Sequence, residues 1–347
     1  MKKLIKNYSL EEVAEYFTSI GEKTYRARQL FSWIYDRNIE SFNEMTNFSK
    51  ELREKLSLEF ELSPLTLEEK LVSDIDQTEK FLFRTLDNKY IEAVLIKNDG
   101  TEDGRLTVCV SSQIGCAMGC IFCGTAKMGF IRNLEPAEIL DQLNQIRRAT
   151  GLRNNNIVFM GMGEPFMNYE NVLKAADIMN YSFGFHISVR KITISTCGVL
   201  PQIERFIDEK RMYNLALSLN DTDFTRRAVI MPVEKKYPFS KIASLLQKKF
   251  PVSRNRLTIE YVMRKDNISK TDAEKIKKLF KFGRIKLNLI PLNASSLDFI
   301  RPTDEEMSNF IKDLEIMNVP VSIRKSMGED IGGACGQLSG ERVKVLA

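Results

Sequence analysis

Histidine is nearly missing from this chain: one residue, His186, among 347. That scarcity excludes the H-E-x-x-H and other histidine-rich zinc enzymes, whose metal rests on imidazole nitrogen. Long apolar runs are missing too. None reaches the roughly 18 residues of a membrane-spanning helix, so no span is expected. The start, MKKLIKNYSLEEV, turns acidic before any apolar signal core can form, and the chain reads as cytoplasmic with reduced cysteines. No low-complexity segment interrupts it, and there is no internal repeat beyond the alternation of strand and helix. A net charge of +5 suits a polyanionic partner without identifying one. Basic pairs such as Arg147–Arg148 and Arg226–Arg227 read, one by one, as solvated helix faces.

What is present falls into four parts. Residues 1–65 carry apolar residues at helical spacing with a break at Gly21, and read as a small helical domain. Residues 66–100 contain EKFLFRTLDNKYIEAVLI, two strands joined by an Asp-Asn turn, as a linking β extension. Residues 101–300 alternate strand and helix: LTVCVSS, NIVFMGMG, KITISTCG, NLALSLN, LTIEYVM and IKLNLIPLN are the strands. Six βα units imply an α/β fold with a parallel sheet curled into a full or partial barrel. Residues 301–347 form a C-terminal extension whose glycine-rich SMGEDIGGACGQLSGE is expected to be a mobile loop holding Cys335.

Cysteine is the other scarce residue, six in all, yet four of them crowd into CVSSQIGCAMGCIFCG as Cys109, Cys116, Cys120 and Cys123. A structural zinc site wants four Cys or His ligands. That reading would have to recruit Cys109 from within a strand, and no second C-x-x-C pair exists. Three thiolates spaced C-x-x-x-C-x-x-C fit an iron–sulfur cluster better, with one iron left open for a substrate or cofactor. A loop directly after the first barrel strand places it at the C-terminal mouth.

This triad, with an aromatic at Phe122, resembles the radical S-adenosylmethionine (SAM) superfamily, and MGMGEP resembles that superfamily's glycine-rich SAM-binding stretch. A finer resemblance, to the RlmN/Cfr family of RNA adenine methyltransferases, runs nearly the whole length through CVSSQIGC, CGTAKMGFIRNL, FMGMGEP, ISTCGVLP, LALSL, EYVM, NLIPLN and DIGGACGQLSG. It implies a partial (β/α)6 barrel, a 4Fe-4S cluster on Cys116, Cys120 and Cys123, and two SAM molecules per turnover. It also assigns roles: Cys335 as methyl carrier, Cys109 as resolving thiol in a transient disulfide with it, and Glu92 as general base. Gly163, Glu164, Ser195, Ser218, Leu219, Asn220 and Asn293 would contact SAM; at Asn220 the family usually has histidine. Cys197 reads as a space-filling residue.

The implied substrate is adenosine C2 in 23S rRNA, and in tRNA beside the anticodon. The implied reductant is an electron donor such as flavodoxin or ferredoxin. Two other readings stay open, the C8-methylating branch of the same family and a non-catalytic metal-stabilised RNA-binding protein. For the N-terminal helices, with Lys23, Arg26 and Arg28, RNA binding and simple capping of the barrel stand side by side.

Overall fold

The computed structural model describes residues 2–97, 104–153, 155–250, 257–279, 285–293 and 299–339. Residues 98–103, at the expected boundary of the β extension, and 340–347, the end of the C-terminal extension, lie outside them.

The N-terminal unit opens with the two-residue strand β1 (Lys3–Leu4) and α1 (Leu10–Ser19). Ser9 and Glu12 start that helix with a reciprocal capping box. α2 (Arg26–Phe31) runs on into a π turn, and α3 (Lys50–Glu59), capped by Ser49, leads to β2 (Phe60–Glu61), which pairs in parallel with β1. Three antiparallel strands follow: β3 (Leu65–Val72), β4 (Glu79–Thr85) and β5 (Tyr90–Lys97). The Asp-Asn turn forms as expected, with Asn88 at φ 57°. β3 is additional to the two expected strands. Its sequence, LTLEEKLV, puts charges where an apolar alternation should be, because it is a bulged edge strand.

From β6 (Leu106–Cys109) come β7 (Gln113–Gly115), α4 (Gly124–Lys127), β8 (Phe130–Asn133) and α5 (Pro136–Thr150). Next are β9 (Asn156–Phe159), α6 (Tyr169–Asn180), β10 (Ile192–Thr196), α7 (Leu200–Asp208) and β11 (Asn214–Ser218). After these lie α8 (Phe224–Ile230), α9 (Val233–Lys236), α10 (Phe239–Lys249), β12 (Leu257–Met263) and α11 (Lys270–Leu279). β13 (Ile285–Pro291), α12 (Asp304–Ile316) and β14 (Val321–Ile323) complete the order.

Ten strands form one sheet, β3-β4-β5-β6-β9-β10-β11-β12-β13-β14. β6 and everything beyond it run parallel, so the six expected βα units and the further strand all lie in one curved layer. Among the described residues β3 and β14 are its two free ends, which makes the barrel partial. β6 and β9 are buried on both faces, as parallel strands covered on each side must be.

The N-terminal unit is pinned to α5. The Lys6 ammonium pairs with the Asp141 carboxylate, both essentially buried. Asn144 Nδ2 donates to Ile34 O (3.0 Å), Arg147 Nη1 to Tyr35 O (3.1 Å) and Arg148 Nη2 to Ile39 O (2.7 Å). The Arg147–Arg148 pair is therefore no solvated face: its guanidinium groups bond backbone carbonyls of the first domain. Arg26 is likewise engaged at home, with Glu22 and the Asn47 carbonyl. Lys23 and Arg28 remain exposed.

Candidate active site

The C-terminal halves of the parallel strands and the turns after them face one cavity of about 1320 Å³ including its open mouth. Cys109 comes from β6, Ser195 from β10, Ser218 from β11, Glu260 from β12 and Asn293 from just beyond β13.

β7 and β8 form a short antiparallel ladder that launches the cysteine loop. At its start Gly115 has φ +70°, and a Cβ there would lie 1.8 Å from Gly129 O, so only glycine fits. Cys116 N donates back to Gly129 O (2.9 Å) and Ile121 N to Ile230 O (3.1 Å), fixing both ends of the loop. Cys116, Cys120 and Cys123 are half-buried and all line the cavity. Burial pushes the Cys116 thiol up to about 12, and Cys120 higher still. Thiols so placed want a cation to hold them as thiolates. Among the described residues no three His, Cys, Asp or Glu side chains are already assembled as a metal-binding group. The donor set nonetheless fits an iron–sulfur cluster: three soft sulfurs from one loop, beside Met118, Phe122 and Met231. The zinc alternative needs Cys109, which ends β6 rather than belonging to the loop.

The glycine-rich stretch is stitched to the segment leading into that loop. Gly161 N donates to Val110 O (3.1 Å), Ser112 N to Met162 O (2.8 Å) and Glu164 N to Gln113 Oε1 (2.8 Å). Gly163, at φ +98°, has Gln113 Cβ 2.5 Å from where its own Cβ would be. Glu164 is buried at the cavity wall, its Oε1 accepting from Phe166 N (3.0 Å) and Oε2 from Cys197 N (2.8 Å); burial raises its pKa even so. Cys197 thus lines the cavity and also serves, through its backbone, to hold Glu164.

Ser195 and Ser218 are half-buried at the wall. Leu219 is not in the cavity lining. Its side chain is fully buried in the core, as the two-residue period of a strand dictates next to Ser218 and Asn220. Asn220 lines the cavity in the left-handed conformation, φ 56°, which asparagine tolerates better than most residues. Its Oδ1 accepts from Val262 N (3.0 Å), tying β11 to β12 where the family pattern has histidine. Asn293 Nδ2 donates to Cys335 O (2.9 Å), so its amide holds the C-terminal loop.

Cys335 is exposed and lines the same cavity as the buried Cys109; the Arg324 charge draws both thiol pKa values down, and at Cys109 burial outweighs it and pushes the thiol up to about 12. All six cysteines are free thiols, so no standing disulfide joins Cys109 to Cys335. Rather than hanging loose, the glycine-rich segment is held: Gly124 N donates to Gly336 O (2.7 Å) and Thr125 Oγ1 to Leu338 O (2.7 Å). Glu92 does not line the cavity either. It is 1% exposed, ion-paired with Lys80 (3.0 Å), and its Oε2 accepts from Ser339 N (2.8 Å) at the end of this same segment.

Gln113, Glu260 and Arg324 have no part in the sequence reading, and Arg227, read there as a solvated surface residue, is a correction. Arg227 is fully buried, pairs with Glu234, and donates to Cys197 O (2.9 Å), Ser218 O (3.0 Å) and Leu219 O (2.9 Å). It clamps the ends of β10 and β11 together. The apolar run AVIMPV behind it was the available signal against a solvated face. Its neighbour Arg226 is partly exposed and paired with Asp221.

Two family models match the chain: the ribosomal RNA large subunit methyltransferase N-terminal domain over residues 5–62, and the radical SAM superfamily over residues 110–270. A probable dual-specificity RNA methyltransferase RlmN of Clostridioides difficile is 40% identical over 339 residues, covering 97% of each chain. One from Leptospira interrogans is 40% identical over 96% of this chain and 95% of its own. The crystal structure of a radical SAM methyltransferase from Sphaerobacter thermophilus superposes with a TM-score of 0.90 at 36% identity, over 98% of this chain and all of that one (100%). With that identity across nearly its full length, the chain belongs to the RlmN family of the radical SAM superfamily.

Proposed function

We propose that this protein methylates C2 of adenosine in 23S rRNA, and in tRNA beside the anticodon, by way of a methylated Cys335. The observation that carries the reading is two further free thiols, Cys109 and Cys335, facing the cavity lined by the three-cysteine loop. A metal-stabilised binding protein has no use for that pair.

Cys116, Cys120 and Cys123 would hold a 4Fe-4S cluster, and the strand-end residues Ser195, Ser218 and Asn220 would face SAM. Together the two groups supply methyl groups and a hydrogen-abstracting radical. The C2 carbon of adenine is electron-poor, so direct polar methyl transfer to it is very slow. The chain's answer is to place the methyl group on Cys335 first and present it to the base from that sulfur. Once the sulfur-borne carbon is joined to C2, base and protein are linked as a Cys335 Sγ–CH2–C2 thioether. The Cys109 thiolate attacks the Cys335 sulfur, the S–C bond breaks with its electrons going to carbon, and protonation of that carbon frees the methylated base and leaves a Cys109–Cys335 disulfide for later reduction. Arg324 favours the thiolate at both cysteines. Glu92 lies next to the end of the Cys335 segment and would take the ring proton once Ser339 N releases it.

The target adenosine must be unstacked to reach the mouth. Exposed Lys23 and Arg28 make the N-terminal unit the candidate RNA contact. The expected reductant is a flavodoxin or ferredoxin, and the expected compartment the cytoplasm; among the described residues no helix is long and apolar enough to cross a membrane.

Anaerobic turnover with methyl-labelled SAM and RNA, followed by nucleoside mass spectrometry, tests this. The wild-type chain should yield 2-methyladenosine, and 8-methyladenosine as main product would overturn the C2 assignment. Cys335→Ala should keep its iron and form no methylated RNA. Cys109→Ala should accumulate a covalent protein–RNA species.

A further inference from the structure

The Cys335 segment is anchored on two sides that differ in kind. On its exit side, residues 336–339 bond α4, directly after Cys123, and Glu92, all of which belong to the site. On its entry side it bonds something with no part in the chemistry, the turn between β3 and β4. Gly328 N donates to Asp76 Oδ2 (2.8 Å), and Asp76 Oδ1 accepts from Thr78 N (2.9 Å) within the turn. Ser73 Oγ donates to Asp330 Oδ1 (2.8 Å), while Asp74 N donates to Asp330 Oδ2 (3.2 Å). The same Ser73 oxygen accepts from Ile75 N and Asp76 N (both 3.2 Å), so a side chain with no solvent exposure organises the turn and grips the segment at once. The fit is close: at Gly328, φ +69°, a Cβ would lie 2.8 Å from Thr78 Cγ2. Beyond the clasp the segment folds on itself, Gly333 N donating to Gly328 O (2.7 Å).

A thiol that must serve a methyl donor, then a base, then Cys109 has to move and return to register. The exit contacts touch groups that the reaction itself uses, as does Ser326 Oγ at the start of the segment by donating to Asn293 Oδ1, whereas the contacts of Gly328 and Asp330 with the turn do not. We propose that Ser73 and Asp76 of the β3–β4 turn, gripping Gly328 and Asp330, are positioning residues that form the fixed pivot of the Cys335 segment. This rests on the reading of Cys335 as methyl carrier. It also gives β3 a purpose: the extra edge strand brings the turn to where the C-terminal segment passes.

The test uses cluster-loaded enzyme carrying Ser73→Ala, Asp330→Ala, both together, or Asp330→Asn. A thiol out of register loses rate rather than RNA affinity, so either alanine should lower kcat for RNA methylation about tenfold with the RNA KM within about twofold. Amides of residues 327–339 should exchange with deuterium at least about threefold faster. The double variant should be no worse than the single ones within about twofold, because each alanine already removes the Ser73–Asp330 bond that the two share. Asp330→Asn should keep more than about half the rate, its amide oxygen still accepting from Asp74 N. Unchanged exchange in both alanine variants would overturn the pivot. So would a rising RNA KM at constant kcat, which would mean that the turn, with Ile75 79% exposed, meets RNA directly. If instead Cys335→Ala still methylates RNA, the carrier reading fails while the exchange data still report the clasp.

Discussion

Replacing Cys116 with alanine is expected to leave a folded chain that retains almost no iron and forms no methylated RNA. The backbone around Cys116 is fixed by its own N–H on Gly129 O and by the glycine turn before it, neither of which needs the thiol. The side chain is only half-buried, so the loss of stability should be about 1 kcal/mol or less. What disappears is one of three sulfurs, and with two remaining the loop has no donor set for a cluster. Two controls sharpen the result. Cys197→Ala removes a thiol from the same cavity, and Cys109→Ala removes the one that the zinc alternative requires. Both should keep the iron content and the broad visible absorbance of anaerobically prepared wild type. Normal iron in the Cys116 variant, or its loss from the Cys109 variant, would refute the ligand assignment.

The second large effect concerns a residue outside the chemistry. Arg227→Met should destabilise the fold by about 3–5 kcal/mol, the usual cost of taking one partner from a buried ion pair. The loss has two parts. Glu234 becomes a buried carboxylate without its cation, and the carbonyls of Cys197, Ser218 and Leu219 lose their donor. Thermal melting should fall by roughly 4–7 °C. Adding Glu234→Gln should return part of that, since the charge is gone, while the three carbonyls stay unpaired. A single variant that melts within about 2 °C of wild type would show that β10 and β11 are held at their ends by other contacts.

These two residues mark what the sequence makes legible. The cysteine triad announces itself by spacing, and the barrel strands by short β-branched runs ending in Gly, Ser or Asn, so fold and cluster site could be read in advance. β3 could not be, since an edge strand carries charges that imitate a loop or a helix surface. Arg147, Arg148 and Arg227 were misjudged for another reason. Their partners are carbonyls and carboxylates supplied by other elements, and charge alone does not report whether such a partner exists. Leu219 is the opposite case, because strand alternation next to Ser218 was enough to send it to the core. The linking bonds of Gln113 and Asn293 are legible only in three dimensions. The first joins the SAM motif to the cluster loop, and the second joins a strand end to Cys335.

The seam between the N-terminal unit and α5 has a practical corollary. A shortened chain starting after residue 62 would not be a smaller version of the same molecule. Asp141 would keep Leu65 N but forfeit Lys6, the one cation paired with it among the described residues, and Arg147 and Arg148 would each lose an oxygen to bond. The first sixty residues are thus a welded handle rather than a tethered one. Any strand of nucleic acid gripped at Lys23 or Arg28 meets the mouth at a set reach and angle, as a ruler would dictate, with no slack for the linker to take up.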